Sequence, residues 1–268
     1  MLRHGSVKEK SMSLTRQIVK CAAPAPKIEA FERYLFIGAH PDDIEVGAGA
    51  TAAKLAASGK KVCFLICTDG RYGDEFAQKG ISEEGLIALR KQEAINSAKL
   101  LGVSDVRFLG LSDGAFYSGE DLLAGIAKVV GDFKPDIILS IDPDVTSECH
   151  ADHLNTGRAA KEIAFFAPFE KIMAKYGAEP APVKAIALFM TAHPNRFVNT
   201  RGYLKKQLEV LTTCFPSQYP KENPAADSIV LYIKLRAYEY GFRRFCGTAE
   251  GFRVLGATQM HCLPESGR

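Results

Sequence analysis

The chain of 268 residues lacks any apolar run approaching the ~20 residues that a membrane-spanning helix needs, so no membrane span is expected. It lacks a CxxC pair. Its seven cysteines, Cys21, Cys63, Cys67, Cys149, Cys214, Cys246 and Cys262, are odd in number, which fits a reducing cytoplasm better than a disulfide scaffold. Cys63 and Cys67 fall in the apolar run 62–67 and read as core thiols. The chain also lacks a basic run interleaved with aromatics. Its net charge is only +3, its dense basic steps are as short as Lys205-Lys206, and nucleic acid is not expected as a partner. No internal repeat, low-complexity tract or convincing linker is visible. The first 26 residues carry basic side chains but no signal-peptide core, because Lys8 and Lys10 interrupt it. A short helix is expected around 14–21, then a turn at Ala23-Pro24-Ala25-Pro26. Residues 1–28 are therefore read as an extension and 29–268 as one domain.

What is present is an alternation. Short apolar runs at 33–39, 61–68, 105–109 and 136–142 read as strands. Helical patterns at 46–58, 83–101 and 120–133 lie between them. Ser82 is a plausible N-cap and Gly102 a stop for the helix 83–101. The strands are continuously apolar, as expected when helices cover both sheet faces. The pattern predicts an α/β, Rossmann-like, doubly wound and mostly parallel sheet with helices on both faces. Further on, 153–166, 203–214 and 228–246 read as helices and 184–190 and 252–255 as strands. The stretch 167–183 reads as a surface excursion.

Chemistry concentrates at two strand ends. Gly38-Ala39-His40-Pro41-Asp42-Asp43-Ile44-Glu45 follows the first apolar run, and His150-Ala151-Asp152-His153 follows the strand 136–142. Open α/β sheets bind ligands at this edge. Adjacent aspartates in a turn can simply cap a helix. A second histidine pair at an equivalent strand end argues instead for one metal site split across the fold. One histidine and one carboxylate from the first cluster plus one histidine from the second make a three-ligand catalytic set with an open position. Such a set suits Zn2+, with Fe2+ or another divalent ion also compatible. The unligated aspartate can then act as general base, and a protonated non-ligating histidine can stabilise an oxyanion or protonate a leaving amine. The combination spells metal-assisted hydrolysis of an amide or ester. A competing dinucleotide reading rests on Gly47-Ala48-Gly49 after a strand, but the third glycine is missing and ionisable groups crowd the turn. Close helix–sheet packing accounts for these glycines more simply.

These motifs resemble the LmbE-like/PIG-L family of zinc-dependent de-N-acetylases, which act on N-acetylglucosaminyl compounds. The likeness runs from about residue 33 to about 255 through Thr68-Asp69-Gly70, Arg90 with Glu93, Phe108-Leu109-Gly110, Ser217-Gln218 and Ala249-Glu250-Gly251-Phe252. It implies that His40, Asp43 and His153 are the metal ligands and that Asp42 is the general base. It makes His150 the stabiliser of the tetrahedral intermediate and Asp152 the carboxylate that orients the base or His150. Arg90 and Asp113 would grip sugar hydroxyls. Thr68-Asp69-Gly70-Arg71-Tyr72-Gly73 and His193-Pro194-Asn195-Arg196-Phe197 look like the diacetylchitobiose deacetylase branch, with His193 and Arg196 either at the site rim or in a turn. Glu148-Cys149 and Asn199 depart from thiol-biosynthesis members of the family. The expected partner is a small GlcNAc-containing substrate, and the expected assembly is a homo-oligomer. The alternatives are an amidohydrolase of the same fold acting on another acylated amine, or a nucleotide-binding module.

Overall fold

The computed structural model describes residue 18 and residues 21–220, 222–261 and 263. The helix expected around 14–21 falls mostly outside the described residues. Among these, seven strands make one sheet in the order β3-β2-β1-β4-β5-β7-β6. They are β1 (Arg33–Gly38), β2 (Lys61–Thr68), β3 (Asp105–Leu111), β4 (Ile137–Ile141), β5 (Ala185–Phe189), β6 (Arg196–Asn199) and β7 (Ala249–Gly256). β1 to β5 run parallel, while β7 lies antiparallel to both β5 and β6. The main helices are α1 (Asp43–Ala57), α2 (Glu83–Leu101), α3 (Gly119–Phe133), α4 (Ala151–Phe166), α5 (Leu204–Cys214) and α6 (Pro224–Arg243).

Successive strand residues feed opposite cores, which explains the continuous apolar runs. Phe36, Phe64, Leu139 and Phe189 pack with residues of α1, α5 and α6. Leu35, Leu65, Ile138 and Ile186 pack with Ile126 of α3 and Ile163 of α4. α2 is punctuated as its sequence predicts: Ser82 Oγ accepts from Gly85 N at 3.1 Å, and Gly102 takes a left-handed φ of 92°. The strand order reverses between β1 and β4, so a crevice opens beyond their carboxyl ends. His40 follows β1 there, and His150 to His153 open α4 there.

Three elements differ from expectation. β6 went unread because turn residues His193-Pro194-Asn195 precede a strand of only four residues. α6 begins at Pro224, with Asn223 Oδ1 accepting from Ala225 N at 2.8 Å, a start signal that lies before the apolar pattern. α1 begins at Asp43 and is broken at Ala48, whose φ of −153° is not helical.

The break exposes backbone groups that must find partners. Gln207 Nε2 donates to Glu45 O at 2.8 Å and to Val46 O at 3.3 Å. Glu250 accepts from Ala50 N at 3.1 Å and Thr51 N at 2.7 Å. Gly47 and Gly49 permit this close packing: a Cβ at Gly47 would overlap the Phe189 ring, and one at Gly49 would lie 3.0 Å from Gln207 Cγ. Those glycines form no bare-amide cradle, which removes the dinucleotide reading.

Burial pushes the Glu250 carboxyl up to about 7, against the hydrogen bonds it accepts. Its folded pKa thus exceeds its ordinary value of 4.5, and the stability it contributes is present below that value and lost as pH rises through about 7. Glu250→Gln is expected to flatten the fall in stability between about pH 5 and 7.5. It should cost ~1–3 kcal/mol at the acid end, where one backbone N–H loses its acceptor. Urea titrations of both proteins across that range check this, and parallel pH profiles would refute it.

Candidate metal and catalytic site

The first cluster is built by the turn between β1 and α1. Asp43 Oδ2 accepts from His40 N at 2.7 Å, which closes the turn. Asp42, its neighbour, is held at φ 145°, a conformation that favours glycine. Strain of this kind costs ~1–3 kcal/mol and persists where the surroundings over-determine it, typically at functional sites. Tyr219 OH donates to Asp42 Oδ2 at 3.0 Å, and Arg90 Nη2 lies 3.6 Å from the same oxygen. Burial pushes Asp42 up to about 6, partly offset by the Arg90 charge.

The second cluster opens α4. His150 is its N-cap, with Nδ1 accepting from Asp152 N at 3.3 Å. His153, one turn in, places Nε2 3.2 Å from Asp43 Oδ1. Its other nitrogen, Nδ1, lies 2.9 Å from Glu148 Oε2. Asp152 is fully buried and sits 3.3 Å from His40 Nε2, while Asp113 Oδ1 lies 3.1 Å from the same nitrogen.

Charge follows from these contacts. Burial disfavours the charged form of His40, but hydrogen bonds to Asp113, Asp152 and Asp43 hold its pKa well above the ordinary value. Burial likewise opposes ionised Asp43, and the charge of His153 with hydrogen bonds from both histidines holds it well below the carboxylate range. His153 is pushed up to about 9 by Asp43 and Glu148, against its burial. His150 behaves oppositely: burial, then the neighbouring His40 and His153 charges, lower its pKa. The surroundings therefore disfavour the protonated His150 that the sequence led us to expect.

Two overlapping sets could hold a metal ion, His40-Asp43-His153 and His40-Asp113-His150-Asp152, each with ligand atoms within 4.8 Å of one another. The first fits better. Its three donors are two imidazoles and a carboxylate, and His153 has the carboxylate partner on its far nitrogen that typically orients a metal-ligating imidazole. In the second set Asp152 is already engaged by two backbone amides, Gly114 N at 2.8 Å and Ala115 N at 3.0 Å. His150 there has its Nδ1 occupied and a side chain 46% exposed.

The remaining expected residues divide. Asp113 comes to the cluster. Arg90 also comes to it, but buried: its guanidinium donates to Gly70 O at 3.3 Å and Pro41 O at 3.2 Å beside Asp42. Glu93 accepts from Ser217 N at 2.9 Å and Ser217 Oγ at 2.6 Å, and Gln218 Nε2 donates to Gly73 O at 2.8 Å, so these motif residues clamp loops. Arg196 donates through Nε to Ala25 O at 2.9 Å and makes no hydrogen bond to the cluster, while His193 is an exposed turn residue. Sequence reasoning missed Glu148 as a partner of His153, although a carboxylate five residues before a candidate ligand was a usable signal. It missed Tyr219 entirely, because nothing local marks a hydroxyl that arrives from 177 residues away.

Comparison with known proteins finds relatives of this chain. Residues 35–164 match the family described as PIG-L: GlcNAc-PI de-N-acetylase. These residues make up a PIG-L family domain. It is 29% identical over 242 residues to diacetylchitobiose deacetylase of Thermococcus kodakarensis, covering 87% of this chain and 86% of that protein. It is 32% identical over 155 residues to a 1D-myo-inositol 2-acetamido-2-deoxy-alpha-D-glucopyranoside deacetylase of Streptomyces scabiei, covering 49% of this chain and 48% of that protein. The N,N'-diacetylchitobiose deacetylase of Pyrococcus horikoshii, solved with its inhibitor MPG, superimposes with a TM-score of 0.82 at 25% identity, over 96% of this chain and 98% of that one.

If His153 is a ligand oriented by Glu148, Glu148→Ala should weaken metal binding about 10–100-fold and leave the fold intact. Competition with a chelator, followed by metal analysis and circular dichroism, measures both. Unchanged metal affinity would remove Glu148, and with it the case for His153, from the site.

Proposed function

We propose that this protein is a metal-dependent hydrolase that removes the N-acetyl group from an N-acetylglucosamine-containing substrate and releases acetate. The observation that carries the reading is the His40-Asp43-His153 set, two of its three members buried, beside a strained Asp42. The names of the three relatives compared above, each a deacetylase of an acetamido sugar compound, support the substrate class. We assign zinc as the metal, because two imidazoles and one carboxylate are a common catalytic zinc set. A divalent cation held there supplies Lewis-acid polarisation of the acetamide carbonyl and makes water easier to deprotonate.

The protein's own groups do the rest. Asp42 takes the proton of the attacking water. Tyr219 and Arg90 orient its carboxylate, and its pKa near 6 keeps it ionised yet basic at neutral pH. The proton it gains passes to the departing amine nitrogen, so glucosamine product and acetate leave with charge balanced. His150, partly exposed and disfavoured as a cation, is assigned to the oxyanion side as a neutral hydrogen-bond donor. Asp113 and Asp152 fix the His40 ring. Asp113, buried beside His40, is also assigned to sugar hydroxyls, whereas Arg90 acts through Asp42.

Asp42→Asn should keep the metal and the fold while kcat falls by ~10²–10⁴, the usual share of a general base. His40→Ala and His153→Ala should lose both metal and activity. Acetate release from N-acetylglucosamine compounds together with metal analysis tests this. Near-wild-type turnover by Asp42→Asn would sink the mechanism.

We further propose a cytoplasmic homo-oligomer. No helix among the described residues is long and apolar enough to cross a membrane, and the buried Cys63 and Cys67 are free thiols. Leu231, Leu235, Tyr238 and Phe242 form an exposed apolar stripe at helical spacing on α6. Light scattering should give a mass above one chain for the wild type and one chain for Phe242→Glu. A wild-type monomer refutes the assembly.

A further inference from the structure

A cavity of about 180 Å3 lies on the α5–α6 side of the sheet. Neither Asp42 nor any member of the His40-Asp43-His153 set lines it. Its walls come from the first turn of α1, the chain just after β5, and α5, α6 and β7. Met190, Ile233 and Ala237 give it an apolar lining, which polar side chains interrupt. Gln207 is 1% exposed, and its Oε1 has no hydrogen-bond partner. Tyr240 is 4% exposed, and its hydroxyl has none either. Buried polar atoms ordinarily find partners, so two orphans in one cavity mark a place where a ligand supplies what the protein does not. Arg236 stands at the rim with its guanidinium 4.4 Å from the Tyr240 ring centroid. Its Nη2 donates to Thr191 O at 3.3 Å and its Nη1 lies 3.5 Å from the half-exposed Glu239, which leaves donors for a ligand.

These groups describe one kind of ligand. A guanidinium matches a carboxylate in both shape and charge. Gln207 Oε1, on the most buried of the three side chains, needs a donor such as a hydroxyl. Between the two ends the lining is apolar. A cavity of ~150 Å3 is enough to hold benzene, so this one takes a single six-membered ring with small substituents. It does not suit a second sugar, whose many hydroxyls would need more partners than this lining offers. It does not suit a phosphate either, because Glu250 shares the cavity and burial already opposes a negative charge there.

We propose that this cavity is a regulatory site for a small monocyclic carboxylate with a hydroxyl at its far end, of which 4-hydroxybenzoate is a simple case. The carboxylate accepts from Arg236, the ring lies among Met190, Ile233 and Ala237, and the hydroxyl donates to Gln207 Oε1. The site bears on the metal centre indirectly. Gln207 and Glu250 line the cavity, and they also satisfy the backbone at the break in α1 that presents Asp43. A ligand that holds the Gln207 amide therefore steadies Asp43. Metal and ligand then strengthen each other's binding, by the same factor in both directions. This coupling rests on Asp43 as a metal ligand, whereas the site itself rests on the cavity alone.

Titration calorimetry on the metal-loaded full chain tests both parts, with 4-hydroxybenzoate as the probe. Benzoate, which lacks the hydroxyl, should bind about three- to tenfold more weakly. 4-Hydroxybenzyl alcohol, which lacks the charge, should bind about 10–100-fold more weakly, and Arg236→Gln should reproduce that loss with 4-hydroxybenzoate. Tyr240→Phe removes no hydrogen bond of the folded protein, so it should fold as the wild type does and still bind about three- to tenfold more weakly. Chelating the metal should lower 4-hydroxybenzoate affinity at least about fivefold. Undiminished binding in both variants would put the carboxylate on the metal and overturn the cavity site. Failure of every probe to bind leaves the two orphan atoms to water and also overturns it. Equal affinity with and without metal, where the variants do weaken binding, overturns the coupling. If the protein takes up no metal, the reading of Asp43 as a ligand fails, and the variants alone decide the site.

Discussion

The arrangement of the crevice depends on how one buried charge is satisfied. Asp152 has no exposed surface. A carboxylate in that position is tolerable only with close, hydrogen-bonded partners. It finds them in His40 Nε2 from the β1 turn and in the amides of Gly114 and Ala115 from the β3 loop. These bonds, with the Tyr117 hydroxyl nearby, hold its pKa below the carboxylate range despite burial. Two segments far apart in sequence are thereby fastened to the first turn of α4. Removing one partner of such a buried pair typically costs ~3–5 kcal/mol, because the other is left uncompensated. His150 Nδ1 lies 3.8 Å from the same carboxylate. The first duty of Asp152 is therefore to the His40 ring and the loop beyond it rather than to His150.

A second constraint sets the direction of α1. The break at Ala48 lets residues 43–47 leave the helix axis and present Asp43 to the crevice. A break of this kind leaves carbonyls and amides without helical partners, and the fold supplies them from α5 and β7. Gln207 takes the carbonyls on one side, and Glu250 takes the amides on the other. The adjacent edge of the sheet, where β7 turns antiparallel against β5, is what brings Glu250 there. The site and the far end of the chain are thus mechanically linked, and the motif Ala249-Glu250-Gly251-Phe252 acts on the site without touching it.

Arg90 and Asp42 illustrate the same economy at close quarters. An arginine on a helix after a loop reads naturally as a ligand for hydroxyls. In the fold its guanidinium is turned inward and buried, with Gly70 and Gly73 packed so closely on it that a Cβ at Gly70 would lie 2.7 Å from Nη1. It braces the turn that holds Asp42 in its strained conformation, and it keeps a cation beside a carboxylate that burial would otherwise protonate.

Much was determined by the sequence alone. Continuous apolar strands alternating with helices specify a parallel sheet covered on both faces, because that pattern can be buried in few other ways. Two His/Asp clusters placed just after apolar strands specify a ligand-binding edge, because parallel strands end together there. The residues His40, Asp42, Asp43, His150, Asp152 and His153 could therefore be named before their distances were known, and Asp113 was named through the family resemblance. Their division of labour was decided only by tertiary structure. Whether a histidine favours its charged form depends on which carboxylates and which other histidines fold against it, and these come from separate turns. Tyr219 and Gln207 carry no local mark of their roles, since each acts on a group brought to it by the fold. The inward turn of Arg90 belongs with them: helical position fixes which face a residue occupies, but only packing decides whether that face looks out to substrate or in to the site's own backbone.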